Sequence, residues 1–292
     1  MIPAEFEYMR PSTVAEAVSA LGEAGEDAKI LGGGQSLIPI LRLRLAYPST
    51  VIDVGRIEEL RGVRDDGDAI VIGAMTTHDE VLHDALVAEH APLIAQATET
   101  VADPQVRHRG TFGGALAHAD PAGDLGAVAL TLGCEFTANG PGGERRIAAS
   151  DFFLDYLTTA LSPDEVLTSI RVPKPYAPSA GWSSHYEKFN RVAQAWSIVA
   201  VAALVKRDNG AISEARIGLT NMGSTPLRAS AVEQALAGAD GSAEAIGGAA
   251  EHAAEGTSAP SDLNGKADYR DHLARVLTKR AVLAATGSQG NP

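Results

Sequence analysis

Gly32-Gly33-Gly34-Gln35-Ser36-Leu37 follows the short apolar run Lys29-Ile30-Leu31, and a second glycine-rich stretch, Arg109-Gly110-Thr111-Phe112-Gly113-Gly114-Ala115-Leu116, comes later in the chain. A glycine brings the backbone within hydrogen-bonding distance of a phosphate, because no Cβ intervenes and φ can be positive. Consecutive N–H groups in such a turn form an anion-binding nest. One such loop is a weak signal. Two of them point to one long ligand carrying two phosphates, a dinucleotide.

Working outward from the first loop, Thr13 and Glu16 have capping-box spacing. Val14, Val18 and Leu21 form the apolar stripe of the helix they start, and Gly25 ends it. Lys29-Ile30-Leu31 reads as a strand, Ser36 as the cap of a short helix with Pro39 in its first turn, and Val51-Ile52-Asp53-Val54 as another strand. Residues of about 1–56 therefore form a small α/β lobe. A dinucleotide Rossmann unit would place its glycines after the first strand. Here a full helix precedes them, and Asp53, near the expected acidic distance, sits mid-strand.

A second lobe, about 57–176, follows. Strands are expected at 69–74, 135–138, 145–148 and 165–173, and helices from Thr76-Thr77-His78-Asp79-Glu80 through Val87, from Pro92 to Val101 and near 125–132. Pro173-Lys174-Pro175-Tyr176-Ala177-Pro178-Ser179 reads as a semi-rigid, extended linker. Beyond it, 177–292 offers three strand-like runs, Ser184–Arg191, Ser197–Lys206 and Ile212–Thr220, the last two joined by an Asn209-Gly210 turn. Ala- and Glu-rich helices follow, and the tail 287–292 is expected to fray.

The 292 residues are 45% hydrophobic, enough for two domains, or one domain with two lobes, each burying a core. A net charge of −13 without a basic block argues against nucleic-acid binding. The opening residues have neither a positive n-region nor an apolar h-region, and the apolar run 197–205 is too short to span a bilayer. A cytoplasmic chain without a transmembrane segment is expected. Cys134 is the single cysteine, so no intrachain disulfide and no four-cysteine iron–sulfur cluster can form. Its apolar neighbours suggest a buried thiol. His118, Asp120 and Asp124 are ligand types, but no further ligand stands at helical or hairpin spacing, so no metal site is expected.

The two loops, with His118-Ala119-Asp120-Pro121-Ala122-Gly123-Asp124 after the second, resemble the FAD-binding medium subunits of molybdenum hydroxylases, the group of xanthine dehydrogenase-like and carbon monoxide dehydrogenase-like enzymes. Phe6-Glu7-Tyr8-Met9-Arg10-Pro11, Gly73-Ala74-Met75-Thr76-Thr77, Tyr186-Glu187-Lys188-Phe189 and Gly218-Leu219-Thr220-Asn221-Met222-Gly223-Ser224-Thr225-Pro226 are similar to the same family, nearest in detail to its carbon monoxide dehydrogenase branch. The likeness covers nearly the whole chain. It implies an α+β fold: a two-lobed FAD-binding domain of the vanillyl-alcohol oxidase-like type, then a small C-terminal domain with a three-stranded antiparallel sheet and helices.

The resemblance also implies roles. Ile30, Leu31, Gly32, Gly33, Gly34, Gln35, Ser36 and Leu37 match the loop around the FAD diphosphate, and Thr111, Gly113, Gly114 and Ala115 match a second clamp on it. The family commonly has a histidine where Gln35 stands, and Ile or Val where Phe112 stands. By the same resemblance Val101 is expected at the cofactor site. Asp124 matches the carboxylate on the cofactor's sugar hydroxyls, and it could also cap the helix from Leu125. Leu167 matches an apolar residue near the flavin ring, although alone it reads as strand core. Lys188 matches a lysine near the ring, where a cation would favour the anionic reduced form; alone it reads as a solvated strand lysine. Trp196 falls where relatives carry a tyrosine over one flavin face, with a core tryptophan as the alternative.

The residues themselves offer a dinucleotide clamp and no acid–base or nucleophilic constellation. The resemblance implies that the substrate is oxidised elsewhere. A large molybdenum subunit with a molybdopterin cofactor and a small subunit with two [2Fe–2S] clusters would deliver electrons. FAD on this chain would pass them to an external acceptor, which, if membrane-bound, would hold the complex at the inner membrane face. Assembly as a dimer of heterotrimers is implied. Carbon monoxide is the first substrate expected, with an N-heterocycle or aldehyde as the alternative. A self-contained FAD-dependent oxidoreductase and a scaffold that has lost FAD are the competing classes.

Overall fold

The computed structural model describes residues 2–287; the tail expected to fray, 287–292, lies outside them except for Gly287. In chain order the elements are β1 (Glu7–Met9), α1 (Val14–Ala24), β2 (Ala28–Leu31), α2 (Leu37–Arg42), β3 (Thr50–Asp53), β4 (Val63–Asp65), β5 (Ala69–Gly73), α3 (His78–His83), α4 (Ala85–His90), α5 (Pro92–Glu99), α6 (Pro104–Arg107), α7 (Phe112–His118) and α8 (Asp124–Leu132). Then come β6 (Glu135–Gly140), β7 (Gly143–Ala148), α9 (Ala149–Phe152), β8 (Phe153–Asp155), β9 (Thr158–Thr159), β10 (Val166–Pro173), β11 (Trp182–Phe189), β12 (Val199–Asp208), β13 (Ala211–Thr220), β14 (Leu227–Arg228), α10 (Ser230–Leu236), α11 (Ala243–Ala250) and α12 (Ala267–Ala285).

The first lobe is a parallel sheet ordered β1-β3-β2. Thr13 caps α1 by accepting from the Glu16 N–H, and Val14, Ala17, Ala20 and Leu21 are buried on the stripe the sequence marks. Ser36 stands at the cap position of α2, but its hydroxyl makes no capping bond, contrary to expectation.

The second lobe is an antiparallel sheet ordered β4-β5-β10-β6-β7. Thr77 and Glu80 form a reciprocal capping box for α3. The helix expected through Val87 breaks at Asp84, whose extended backbone ends α3 and whose carboxylate caps α4 at Leu86 and Val87. A two-residue-per-one mismatch around Thr168 bulges β10, with Leu167 paired to Ala138 and Ser169 to Thr137. The Thr168 carbonyl accepts instead from Ala74.

The C-terminal sheet runs β11-β12-β13-β14, so a short fourth strand joins the three expected. Asn209 and Gly210 both take positive φ, 49° and 88°, as a two-residue turn between β12 and β13 demands. β12 is buried on both faces, which explains its continuous apolar run. Ala200, Ala202 and Leu204 face the second lobe's core, while Val199, Val201, Ala203 and Val205 face α10–α12. The proline-rich segment is not an extended spacer. It folds into two tight turns, 174–176 and 178–180, because the Tyr176 ring packs edge-on to Trp182 and lies 4.4 Å beneath the Arg216 guanidinium. Cys134 is buried, and desolvation pushes its thiol up to about 12. Among the described residues no helix is long and apolar enough to cross a membrane.

Candidate cofactor site

The first glycine loop leaves the C-terminal end of β2, and the second enters α7. The two touch through backbone. A Cβ on Gly33 would lie 2.2 Å from the Arg109 carbonyl oxygen, and one on Gly32 would lie 3.3 Å from the Thr111 hydroxyl. Gly113 and Gly114 prove to be the first turn of α7, not an open loop. A Cβ on Gly113 would meet Ala74 at 2.5 Å, and one on Gly114 would meet the Thr111 hydroxyl at 2.6 Å. These glycines therefore serve close protein packing, where the sequence suggested close approach to phosphate.

The N–H groups divide the loops further. Those of Gly32, Gly33, Gly34, Gln35, Ser36 and Leu37 find no acceptor in the chain among the described residues. They form a run of free donors, as an anion nest requires. In the second loop, Phe112 donates to Thr76, Gly113 to Ala74, and Gly114 and Ala115 to Thr111. What that loop can offer an anion is the Thr111 N–H and hydroxyl. Gln35 is turned back, its amide 3.4 Å from the Gly33 carbonyl oxygen.

Between the loops lies a cavity of about 610 Å³, which continues past α8 and β10 to β11 and the 190–197 loop. Its size falls in the range of small-molecule and cofactor sites. All the residues singled out from the sequence line it except Leu31. Leu31 ends β2 just outside it, while Lys29 and Ile30 of the same strand line it.

Asp124 opens α8 as its first residue; Gly123 holds the cap position, so Asp124 does not cap the helix. Its Oδ1 accepts from Tyr186 at 2.8 Å and Ser197 at 2.7 Å, and its Oδ2 accepts from Lys188 Nζ at 2.8 Å. Lys188 also donates to the Thr100 carbonyl at 3.1 Å. The Lys188 and Asp124 side chains are 5% and 6% exposed. Lys188 is thus no solvated strand lysine. A carboxylate has about four acceptor positions and an ammonium three donors. Bonded as they are, Asp124 keeps about one acceptor position and Lys188 one donor, both at the cavity wall.

Leu167 is buried and brought to the cavity at the β10 bulge. Trp196 is not a core residue. It is 54% exposed on the cavity rim, with its ring 6.5 Å from that of His118. Gln194 on the same loop donates to Asp103 at 2.6 Å, tying the loop to α6 across the cavity.

Sequence reasoning passed over His78, Gln194, Tyr186 and Ser197. Tyr186 was findable, since it stands two residues before Lys188 on one strand face. His78 lines the cavity against Gly110 with Nδ1 buried and unpartnered. Burial, then the charge of Arg107, pushes its imidazole down to about 4.

The free N–H run, the wide cavity and the buried carboxylate with a spare acceptor position fit a ligand with phosphates, hydroxyls and a flat ring, as FAD has. Residues 4–175 match the FAD binding domain in molybdopterin dehydrogenase, and residues 184–285 match the CO dehydrogenase flavoprotein C-terminal domain. The chain is 41% identical to the carbon monoxide dehydrogenase medium chain of Hydrogenophaga pseudoflava, across 98% of each chain. It is 39% identical to that of Afipia carboxidovorans, across 100% of each. The solved carbon monoxide dehydrogenase from Hydrogenophaga pseudoflava superposes with a TM-score of 0.94 at 43% identity, covering 98% of this chain and 99% of that one.

Proposed function

This chain belongs to the FAD-binding medium subunits of the molybdenum hydroxylases, and from that premise we propose that it carries electrons out of an aerobic carbon monoxide dehydrogenase. The matches to two carbon monoxide dehydrogenase medium chains along essentially their full length support that choice of complex. We place the FAD domain at 1–176 and the C-terminal domain at 177–292. The partners in this reading are a small subunit with two [2Fe–2S] clusters and a large subunit with a molybdopterin cofactor, assembled as a dimer of heterotrimers in the cytoplasm.

FAD, when bound, supplies a carrier that collects single electrons and releases them in pairs. The chain's residues bind and orient it. The N–H groups of 32–37 face the diphosphate, joined by the Thr111 hydroxyl. Asp124 Oδ2 would accept from a sugar-chain hydroxyl, and Lys188 would have one donor left for the cofactor. The Asp124 carboxylate already offsets the Lys188 charge, so what Lys188 would offer the cofactor is one hydrogen-bond donor. Ile30 and Val101 line the cavity's apolar wall, Leu167 would pack against the ring, and Trp196 at the rim would cover its open face. No residue of this chain is needed as an acid, base or nucleophile.

The run of free N–H groups beside the buried Asp124–Lys188 pair carries this reading. The test is a native pull-down through this chain with identification of its partners and assay of iron and molybdenum. A two-cluster chain and a molybdopterin chain in equal numbers support the complex. Flavin with neither partner nor metal favours a self-contained flavoenzyme.

A further inference from the structure

Tyr186 and Ser197 stand behind the cavity and converge on one oxygen of Asp124, at 2.8 and 2.7 Å. Lys188 holds the other oxygen. All three donors come from the C-terminal domain, while Asp124 comes from the second lobe. We propose that Tyr186 and Ser197 are positioning residues that fix the Asp124 carboxylate so that Oδ2 presents its remaining acceptor position to a ribityl hydroxyl of the cofactor. This rests on the reading of the cavity as an FAD site.

Two donors on Oδ1 lock the carboxylate plane, since rotation about Cβ–Cγ would break both bonds. The donors are themselves held. Tyr186 is buried on β11, opposite Ala202. Burial and the Asp124 charge keep its phenol protonated, its pKa raised well above the ordinary value. Ser197 is buried, and its carbonyl accepts from Asn221 Nδ2 at 2.8 Å. Asn221 holds a left-handed turn at φ 63° and donates its own N–H at 2.9 Å to Pro121, on the segment leading into Asp124. The frame therefore closes on itself: the 121–124 segment, the 221 turn, Ser197, then Asp124 again. Packing alone would be served as well by phenylalanine and alanine. Two hydroxyls aimed at one buried carboxylate oxygen call for an orienting role. Ser197 also adjoins Trp196, so the same bond sets the base of the rim loop.

The test uses the native complex with Tyr186→Phe, Ser197→Ala or Ser197→Thr, stripped of flavin and titrated with FAD and separately with ADP. ADP carries the two phosphates and lacks the ribityl chain. A hydrogen bond to a charged group is worth enough to predict roughly a tenfold or greater rise in the FAD dissociation constant for Tyr186→Phe and Ser197→Ala. ADP affinity stays at the wild-type value, and Ser197→Thr restores FAD binding. Equal weakening of FAD and ADP means a scaffold role and overturns the proposal, as does unchanged FAD affinity in both variants. If Tyr186→Phe does not assemble, the Ser197→Ala and Ser197→Thr pair decides alone. A wild-type complex that takes up ADP but no FAD overturns the cofactor reading itself, and the positioning role with it.

Discussion

The Lys188 ammonium lies 2.8 Å from Asp124 Oδ2 in a setting where neither side chain exceeds 6% exposure. Such a pair adds little net stability, because desolvation offsets the attraction, but removing one partner strands a buried charge. Lys188→Met should therefore destabilise the protein by about 3–5 kcal/mol and deplete its flavin. Adding Asp124→Asn to Lys188→Met should recover much of the stability while flavin stays low. Chemical denaturation beside flavin content separates the two effects. A double variant that regains flavin together with stability would mean the pair is only structural.

Gly33→Ala should open the loops, because its Cβ would meet backbone, the Arg109 carbonyl oxygen, and not a side chain that can move aside. Overpacking of this kind costs about 1–3 kcal/mol, and FAD content should fall with it. Gly22→Ala in α1 is the control: its Cβ would meet nothing within 4 Å. That change should stabilise the helix by about 0.5–1 kcal/mol and leave flavin untouched. Thermal melts and flavin content of both variants check this.

Trp196→Ala should keep FAD per copy at the wild-type level and change the rate of electron transfer to an external acceptor. The ring lies at the rim, half exposed and outside the core, so stability should move by no more than about 0.5 kcal/mol. Stopped-flow reoxidation measures the rate. Unchanged acceptor kinetics would remove the proposed cover over the ring.

His78 makes stability fall on acidification. Its folded pKa is depressed to about 4, from 6.5 when unfolded. Above 6.5 both states are neutral, and its contribution is fully present. Between 6.5 and 4 the unfolded chain binds the extra proton, so stability is lost progressively, by roughly 3 kcal/mol in all. His78→Asn should flatten the urea midpoint across that window. An equal pH slope in wild type and variant would contradict this.

The sequence made most elements legible because their apolar periods are clean. α1 carries its stripe and its Thr13 cap, and β12 reads as a strand from its apolar run. The Asn209-Gly210 hairpin is a local signal that the structure keeps. Misreadings arose where a side chain reaches backbone or a distant element. Asp84 ends one helix and starts another, a choice made by its own carboxylate. Tyr176 folds the proline segment by packing on Trp182 and Arg216, which no local pattern reveals. At the site, the two loops and Lys188 were visible as residue types. The Lys188–Asp124 pair was not, since it joins residues 64 apart in the chain. Nor could glycine content tell that Gly33 and Gly113 accommodate protein backbone while the free N–H groups belong to the first loop.

Flavin per copy in the native complex, released and identified, tests the central claim most directly. About one FAD per copy of this chain is predicted, reduced sharply by Gly33→Ala and retained in Gly22→Ala. A complex with its iron and molybdenum in place but without FAD would contradict the account, and the clamp assigned to 32–37 and Thr111 would have to be withdrawn.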